Sequence, residues 1–380
     1  MRHQSVARKI HAQLHRHAVF VGRIAIAAKH KIGERIHNHP LLIPLYALHH
    51  MRMVAQYRIE AAVYGIAGNG LLGRILVVLP LLPPVKRHDE VIWILVFEMR
   101  QGLVYRRFAL RLIESAVAEV ARLEKIFSLY RDDSQLVRLN RAGRLSRPSA
   151  DLLALLSQSR EIHALTQGAF DPSIQPLWAA YAKHFTQQPH SESAPPDAVL
   201  QRALGLVDFN QVHFDQAAVA FARPGMALSF NGIAQGYITD RITEMLREAG
   251  LMRALVDMGE IRALNTQDDA VWQAGIRNPD NEEAVLLNVP LHNRALATSG
   301  GYGTVMDEAG RFTHLFNPKN GSSSPRYRSV SVMAPAAAAA DALSTAFSVS
   351  SPAAIRRAAA QVAGLKAWLV LPGGQVETLG

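Results

Sequence analysis

The 380 residues contain no cysteine. Disulfides, zinc-thiolate sites, thiol nucleophiles and a lipid-modified N-terminal cysteine are therefore excluded, which fits cytoplasm or periplasm equally. Long uninterrupted apolar runs are also missing. The apolar pieces of the first hundred residues, PLLIPLYAL, GLLGRILVVLPLLPP and EVIWILVFEM, are broken by Pro40, Pro44, Arg74, Pro80, Pro83 and Pro84. None reaches the roughly 18 to 20 residues that a membrane-spanning helix needs. No apolar core with a small-residue cleavage site follows the basic N-terminus, so a standard signal peptide is not legible. Acidic residues are scarce in one region only: residues 1–100 hold 14 Lys/Arg against 5 Asp/Glu, whereas residues 101–380 hold 27 against 26. The net charge of +10 thus belongs to the first hundred residues. Basic charge confined to one segment is nonspecific and argues against a nucleic-acid function.

Residues 1–100 read as an atypical, histidine-rich segment with no clear amphipathic period. A misplaced start or upstream frameshift would produce such a stretch, and detection of its peptides in the native protein would contradict that reading. His11, His15 and His17, like His37 and His39, are close enough in sequence to share a metal but have no acidic surroundings. Gly68-Asn-Gly70-Leu-Leu-Gly73 is a literal GxGxxG match, yet the β-branched run ending at Pro80 is too short for the helix that a dinucleotide site requires.

From about Arg106 the texture changes, and residues 101–380 read as one domain. Ala109 to Phe127 has Leu112, Ala116, Val120 and Leu123 on one stripe, which predicts an amphipathic helix. A polar turn with Tyr130 and a short helix follow. Ser149 opens a helix that Gly168 stops. In Ala169-Phe170-Asp171-Pro172 a carboxylate precedes proline, which biases its backbone to the extended form; it is a turn residue or a ligand contact. Residues 185–196 are a polar, proline-rich surface loop. Strand-like runs cover Val207–Phe214, Val219–Phe221 and the apolar residues through Leu228 and Phe230. Asn231-Gly232 then forms the turn into a helix from Ile233 to Ala249, with Gly250 beyond it. Glycines in a first helical turn let a ligand approach backbone N–H groups.

Farther on, Ala254 to Arg262 reads as strand, tight turn, strand, and Val285–Val289 and Ser329–Met333 as strands. Ala297 to Tyr302 is a small-residue loop, and His314 stands before the Asn317-Pro318 turn. Ala337 to Ser348 is a small-residue helix with Asp341 and Thr345 at i, i+4, so both side chains lie on one side. A carboxylate and a hydroxyl are hard oxygen donors suited to Mg²⁺, although an acid and a threonine on such a helix can equally be structural.

The blocks FSLYRDDSQLVRLN, TQGAFDPSIQPL, NGIAQGYITD, ALVDMGEIRAL, ATSGGYG, HLFNPKNG and SVSVMAP…ADALSTAF occur in this order over about residues 110–350. Together they resemble the ApbE family of FAD:protein FMN transferases, and the SxNGIAQGY pattern resembles a subgroup of it. The resemblance implies an α/β (α+β) fold: a single T-fold-like domain with mixed sheets and flanking helices. It implies Mg²⁺-dependent transfer of FMN from FAD to a threonine hydroxyl of an acceptor flavoprotein, with release of AMP. The acceptor would be a subunit of a membrane redox complex, and the location the periplasmic side of the membrane. Relatives that hydrolyse FAD, or that carry flavin without transferring it, are the alternatives.

By position, the resemblance assigns flavin contacts to Tyr130, Ala169, Phe170, Asp171, Ser229, Gln235, Phe316 and Asn317. It assigns the metal to the Gly232 carbonyl, Asp341, Ser344 and Thr345, and proton transfer or orientation of the phosphate to His314. Ser229, Gln235, Asn317, Asn320 and Ser344 depart from the charged or hydroxylated residues common at these places, so the cation would meet fewer carboxylates. Family members also begin with a strand that is hard to place in residues 90–108, where only Met99 and Gly102 offer a match.

Overall fold

The stripe of Leu112, Ala116, Val120 and Leu123 is buried, as its spacing predicts, together with Ala109, Ile113, Ile126 and Phe127. The helix bearing it, α1 (Leu103–Phe127), begins six residues before the amphipathic pattern does. Its apolar face covers Ile242, Leu246, Ala254, Val256 and Met258 and forms one of the cores with them. The computed structural model describes residues 62–66, 72–81, 91–100, 103–266 and 271–380. The N-terminal histidine groups, Gly102 and part of the GxGxxG match lie outside these residues.

Strands β1 (Ala62–Ile66), β2 (Leu72–Leu81) and β3 (Val91–Arg100) precede α1. Helix α2 (Gln135–Ala142), β4 (Arg144–Ser146), α3 (Ala150–Leu165), α4 (Gln175–Gln187), α5 (Asp197–Leu204), β5 (Val212–Phe214) and β6 (Ala218–Phe221) follow it. The second half contains α6 (Ala234–Glu248), β7 (Arg253–Asp257), β8 (Ile261–Asn265), β9 (Trp272–Asn278), β10 (Asn281–Leu291), β11 (Ala295–Gly300), β12 (Ser329–Ala334), α7 (Ala337–Val349), α8 (Pro352–Ala359), β13 (Lys366–Val370) and β14 (Val376–Leu379). A nine-stranded sheet runs in the order β1-β2-β3-β7-β8-β11-β12-β13-β14, accompanied by the pair β10-β9 and the small sheet β4-β6-β5. Every pairing within the large sheet is antiparallel, so α+β describes the architecture.

Three segments differ from expectation. Val91–Arg100 is a strand paired with β2 on one side and β7 on the other, so the sheet extends upstream of residue 101, where the sequence places the start of the domain. Met226, Leu228 and Phe230 are buried, but residues 225–230 form no strand. Both backbone groups of Leu228 bond instead to the Asn140 side chain, whose Nδ2 donates to the carbonyl at 2.9 Å and whose Oδ1 accepts from the amide at 2.8 Å. That satisfies the buried backbone without a strand partner. Residues 297–300 are strand rather than loop, since β11 pairs residue by residue with β12; only Gly301–Gly303 form a tight helical turn.

Helix α7 is buried almost along its whole length, and its small residues let α6 approach it at backbone distance. The N-cap of α7, Ala336, provides no capping side chain. Asp240 of α6 does so, accepting from the Ala337 and Ala338 amides at 2.8 and 2.9 Å. Burial raises the Asp240 carboxyl above the ordinary value, and these two amides and Arg262 oppose that shift. Substitution Asp240→Ala should lower stability by about 1–2 kcal/mol, read as a lower urea midpoint. An unchanged midpoint would remove the cap from the account.

Candidate functional site

Gly232, in the turn before α6, lies directly against α7: a Cβ there would stand 2.9 Å from Thr345 Oγ1 and 3.2 Å from its methyl. A side chain there would displace the Thr345 hydroxyl. One residue earlier on α7, the Ser344 hydroxyl is 2.7 Å from Ser299 Oγ of β11, and Ser299 Oγ is also 3.3 Å from Thr345 Oγ1. Ser344 in addition donates to the Asp341 carbonyl at 2.9 Å. A turn of backbone and three hydroxyls thus converge where α6 begins, α7 passes and β11 ends.

One helical turn back along α7, Asp341 is buried and its Oδ2 accepts the Gly236 amide from the first turn of α6 at 3.1 Å. Because α6 has no side-chain cap of its own, the Asp341 carboxylate takes over one of its unpaired donors. Burial nevertheless pushes the Asp341 carboxyl up to about 7; the Gly236 amide opposes this and the neighbouring Asp240 adds to it. Gly232, Ser344 and Thr345 are therefore brought together around Ser299, and Asp341 stands one turn along α7 with its carboxylate on the Gly236 amide.

The remaining candidates are distributed around this centre. His314 reaches the glycine turn after β11: its Cε1 would be 3.8 Å from a Cβ at Gly303, and its Nδ1 donates to the Thr304 carbonyl at 3.1 Å. A carbonyl only accepts, so the proton sits on Nδ1 and Nε2 carries the basic lone pair. Ser229 joins the two N-terminal blocks, its amide donating to the Pro172 carbonyl at 2.8 Å and its hydroxyl accepting from Asn231 N at 3.3 Å. Gln235 turns toward the β7–β8 turn, donating from Nε2 to the Met258 carbonyl at 2.6 Å. Gly259, with φ +98°, takes the left-handed conformation there and leaves no room for a side chain beside that amide.

Asp171 has a different immediate role. Its Oδ1 accepts from Ser173 N and Ser173 Oγ at 2.8 and 2.5 Å, and Oδ2 accepts from Phe209 N at 3.2 Å. Its donors tie the 169–172 block to residues 208–209. The residue borders an open cleft of about 460 Å³ shared with Arg160, His163, Asn210 and Lys319, away from the Asp341 group. Phe170 is buried in the main core, with Ala169 packed against it. Phe316 packs against Tyr181 at 5.0 Å between ring centroids, so its ring belongs to an aromatic cluster. Asn317 Oδ1 accepts from Lys319 N at 2.9 Å and shapes the turn. Tyr130 is 82% exposed on the loop between α1 and α2, and no ring contact joins it to another candidate residue.

Two site residues escape the sequence reading. Ser299 lies within the ATSGGYG block, but small-residue composition gives no hint that its hydroxyl meets two others on α7. Glu260 follows the Asp257-Met-Gly259 turn and is 8% exposed. Burial, then Asp341, then Asp257 raise its carboxyl well above the usual range, and the Thr298 amide opposes them. An acid at the foot of a tight turn is the only signal available, and it is weak.

The ApbE family model matches residues 93–369. The chain belongs to the ApbE family. The FAD:protein FMN transferase of Haemophilus influenzae is 30% identical over 234 residues, covering 57% of this chain and 66% of that protein. That of Treponema pallidum is 31% identical over 269 residues, covering 64% of this chain and 73% of its own length. The aligned region thus spans about two thirds of the length of these relatives. The crystal structure of the ApbE protein from Thermotoga maritima superposes with a TM-score of 0.64 at 23% identity, covering 83% of this chain and 97% of that one. It supports the ApbE fold. The family match begins inside β3, so the strand that the sequence leaves hard to place lies within the ApbE region.

Proposed function

We propose that this ApbE chain transfers FMN from FAD to a threonine hydroxyl of an acceptor flavoprotein. The carrying observation is the juxtaposition of Gly232 with Thr345, one helical turn from the buried Asp341. The donors there are oxygens, and a buried acid among them without an ion-pair partner among the described residues suits a hard divalent cation. Mg²⁺ is the cation proposed. Asp341, Thr345 and the Gly232 carbonyl would hold it, and when bound it would neutralise diphosphate charge and ease departure of AMP.

The transfer balances without a redox partner. The acceptor threonine Oγ forms a bond to the FMN-side phosphorus, and the bond from that phosphorus to the bridging oxygen breaks. AMP leaves with the bridging oxygen. The threonine proton goes to His314 Nε2, whose tautomer the Thr304 carbonyl fixes. His314→Ala is accordingly expected to slow transfer by about 10²- to 10⁴-fold while FAD affinity holds. Stopped-flow rates beside an equilibrium FAD titration check this; an unchanged rate would take His314 out of the proton path.

For the acceptor, the family resemblance supports a flavin-carrying subunit of a membrane redox complex, and for the location the periplasmic side. Fractionation that finds the chain in the cytosol would contradict the location. The activity itself is tested by chromatographic measurement of AMP from FAD and Mg²⁺, with and without acceptor. Acceptor-stimulated AMP release is expected, whereas equal release without acceptor would assign the chain to FAD hydrolysis.

A further inference from the structure

Ser344 stands where a second metal-side acid is common among the chain's relatives, and its hydroxyl is already engaged by Ser299 and the Asp341 carbonyl. On α7 this leaves Asp341 as the one carboxylate of the group. A second carboxylate lies beside it from another element. Glu260, at the entry to β8, is 8% exposed. Strand β8 pairs with β11, Ile261 opposite Leu296, so Glu260 stands beside the strand whose Ser299 hydroxyl touches Ser344 and Thr345. Its Oε2 is buried without a hydrogen-bond partner.

The first turn of α6 joins the two acids, Gln235 donating to the Met258 carbonyl beside Glu260 and Gly236 to Asp341. Two buried carboxylates with no ion-pair partner among the described residues are unfavourable as a purely structural device. The same pair is what a divalent cation would stabilise. Hard cations of the Mg²⁺ type use one or two carboxylates and complete their shell with water and phosphate oxygens. We propose that Glu260 is the second acid of the Asp341 cation site, supplying from the β7–β8 turn the charge that Ser344 does not. This rests on the cation reading of Asp341. The arrangement also gives the tight turn a purpose. Gly259 in its left-handed conformation and the Gln235 amide on the Met258 carbonyl fix the backbone leading into Glu260, so its carboxylate is positioned before any cation arrives.

The test uses the full chain and Mn²⁺ as a paramagnetic stand-in for Mg²⁺. Titrations are followed by electron paramagnetic resonance, with and without FAD, for the unaltered protein, Glu260→Gln, Glu260→Asp and Asp341→Ala. Glu260→Gln keeps the side-chain shape and removes only charge. It should weaken Mn²⁺ binding by about tenfold to a hundredfold, while its metal-free melting temperature stays level or rises and its metal-induced rise in melting temperature is lost. Glu260→Asp keeps the charge and should bind between the two, which preserves the test should the glutamine variant fold poorly. If Glu260→Gln binds Mn²⁺ as the unaltered protein does while Asp341→Ala does not, Glu260 is structural and the inference falls alone. If the unaltered protein binds no Mn²⁺ even with FAD, the cation site falls with it.

Discussion

Asp341→Ala is expected to cut Mg²⁺-dependent flavin transfer by roughly a thousandfold. The variant removes the buried carboxylate one helical turn from Thr345, which lies against Gly232. Lewis-acid stabilisation of a phosphoryl reaction is worth several kcal/mol, and each factor of ten in rate corresponds to about 1.4 kcal/mol. Raising the Mg²⁺ concentration should restore little of the rate. Activity with normal metal dependence in the variant would remove Asp341 from the site.

The same residue makes the opposite prediction for stability without metal. The Asp341 carboxyl is raised by burial from 3.8 to about 7 in the folded protein. The folded state therefore holds a proton that the unfolded chain has released, and stability falls as pH rises between these two values. Above about 7 this contribution levels off. Asp341→Asn carries no titrating group, so its metal-free melting temperature should decline less over that interval and should exceed that of the unaltered protein at pH 8. Parallel profiles for the two proteins would contradict the buried-acid picture. Loss of activity joined to a gain in metal-free stability is the pattern of a residue kept for binding rather than folding.

Gly236→Val is expected to have the largest effect on the fold. A Cβ at this position would overlap the Ala337 carbonyl oxygen and lie 2.7 Å from the Ala338 Cα. Those atoms are backbone, held by the Asp240 cap, so no side-chain rotation can relieve the contact. Separating α6 from α7 would also pull the Gly236 amide from Asp341. Overpacking of this kind costs about 3 kcal/mol or more, and the urea midpoint should fall accordingly or the protein should fail to accumulate folded. A midpoint equal to that of the unaltered protein would mean that the two helices do not meet at Gly236. At Gly232 an added Cβ meets the end of the Thr345 side chain instead, where a rotamer change can give way.

The helices were the legible part of this chain. The stripe on α1 and the start of α6 with Gly250 beyond its end follow from period and capping chemistry alone. The antiparallel sheet was less legible. Val91–Arg100 is apolar without alternation, which suits a strand paired on both edges but equally suits other buried segments. Met226, Leu228 and Phe230 alternate as a strand would, yet the Leu228 backbone is satisfied by Asn140, 88 positions away, and such a partner has no local signature.

The site divides in the same way. Gly232 and Thr345 came from separate motifs that lie against each other, and Asp341 accepts the amide of Gly236 from the same motif as Gly232. Asp171, before proline, reads as a turn residue or a ligand contact, and in the fold its oxygens accept from Ser173 and Phe209. Glu260 and Ser299 come to the group through the pairing of β8 with β11, a long-range contact that no spacing in the sequence encodes.

The central claim is that FMN moves from FAD to a threonine through the site where α6, α7 and β11 meet. Its most direct measurement is the intact mass of an acceptor flavoprotein after incubation with this chain, FAD and Mg²⁺. The account predicts one FMN adduct per acceptor threonine, an equal amount of AMP, and neither product after chelation of the metal or with Asp341→Ala. FAD bound at the site with no adduct on the acceptor and no AMP would contradict it.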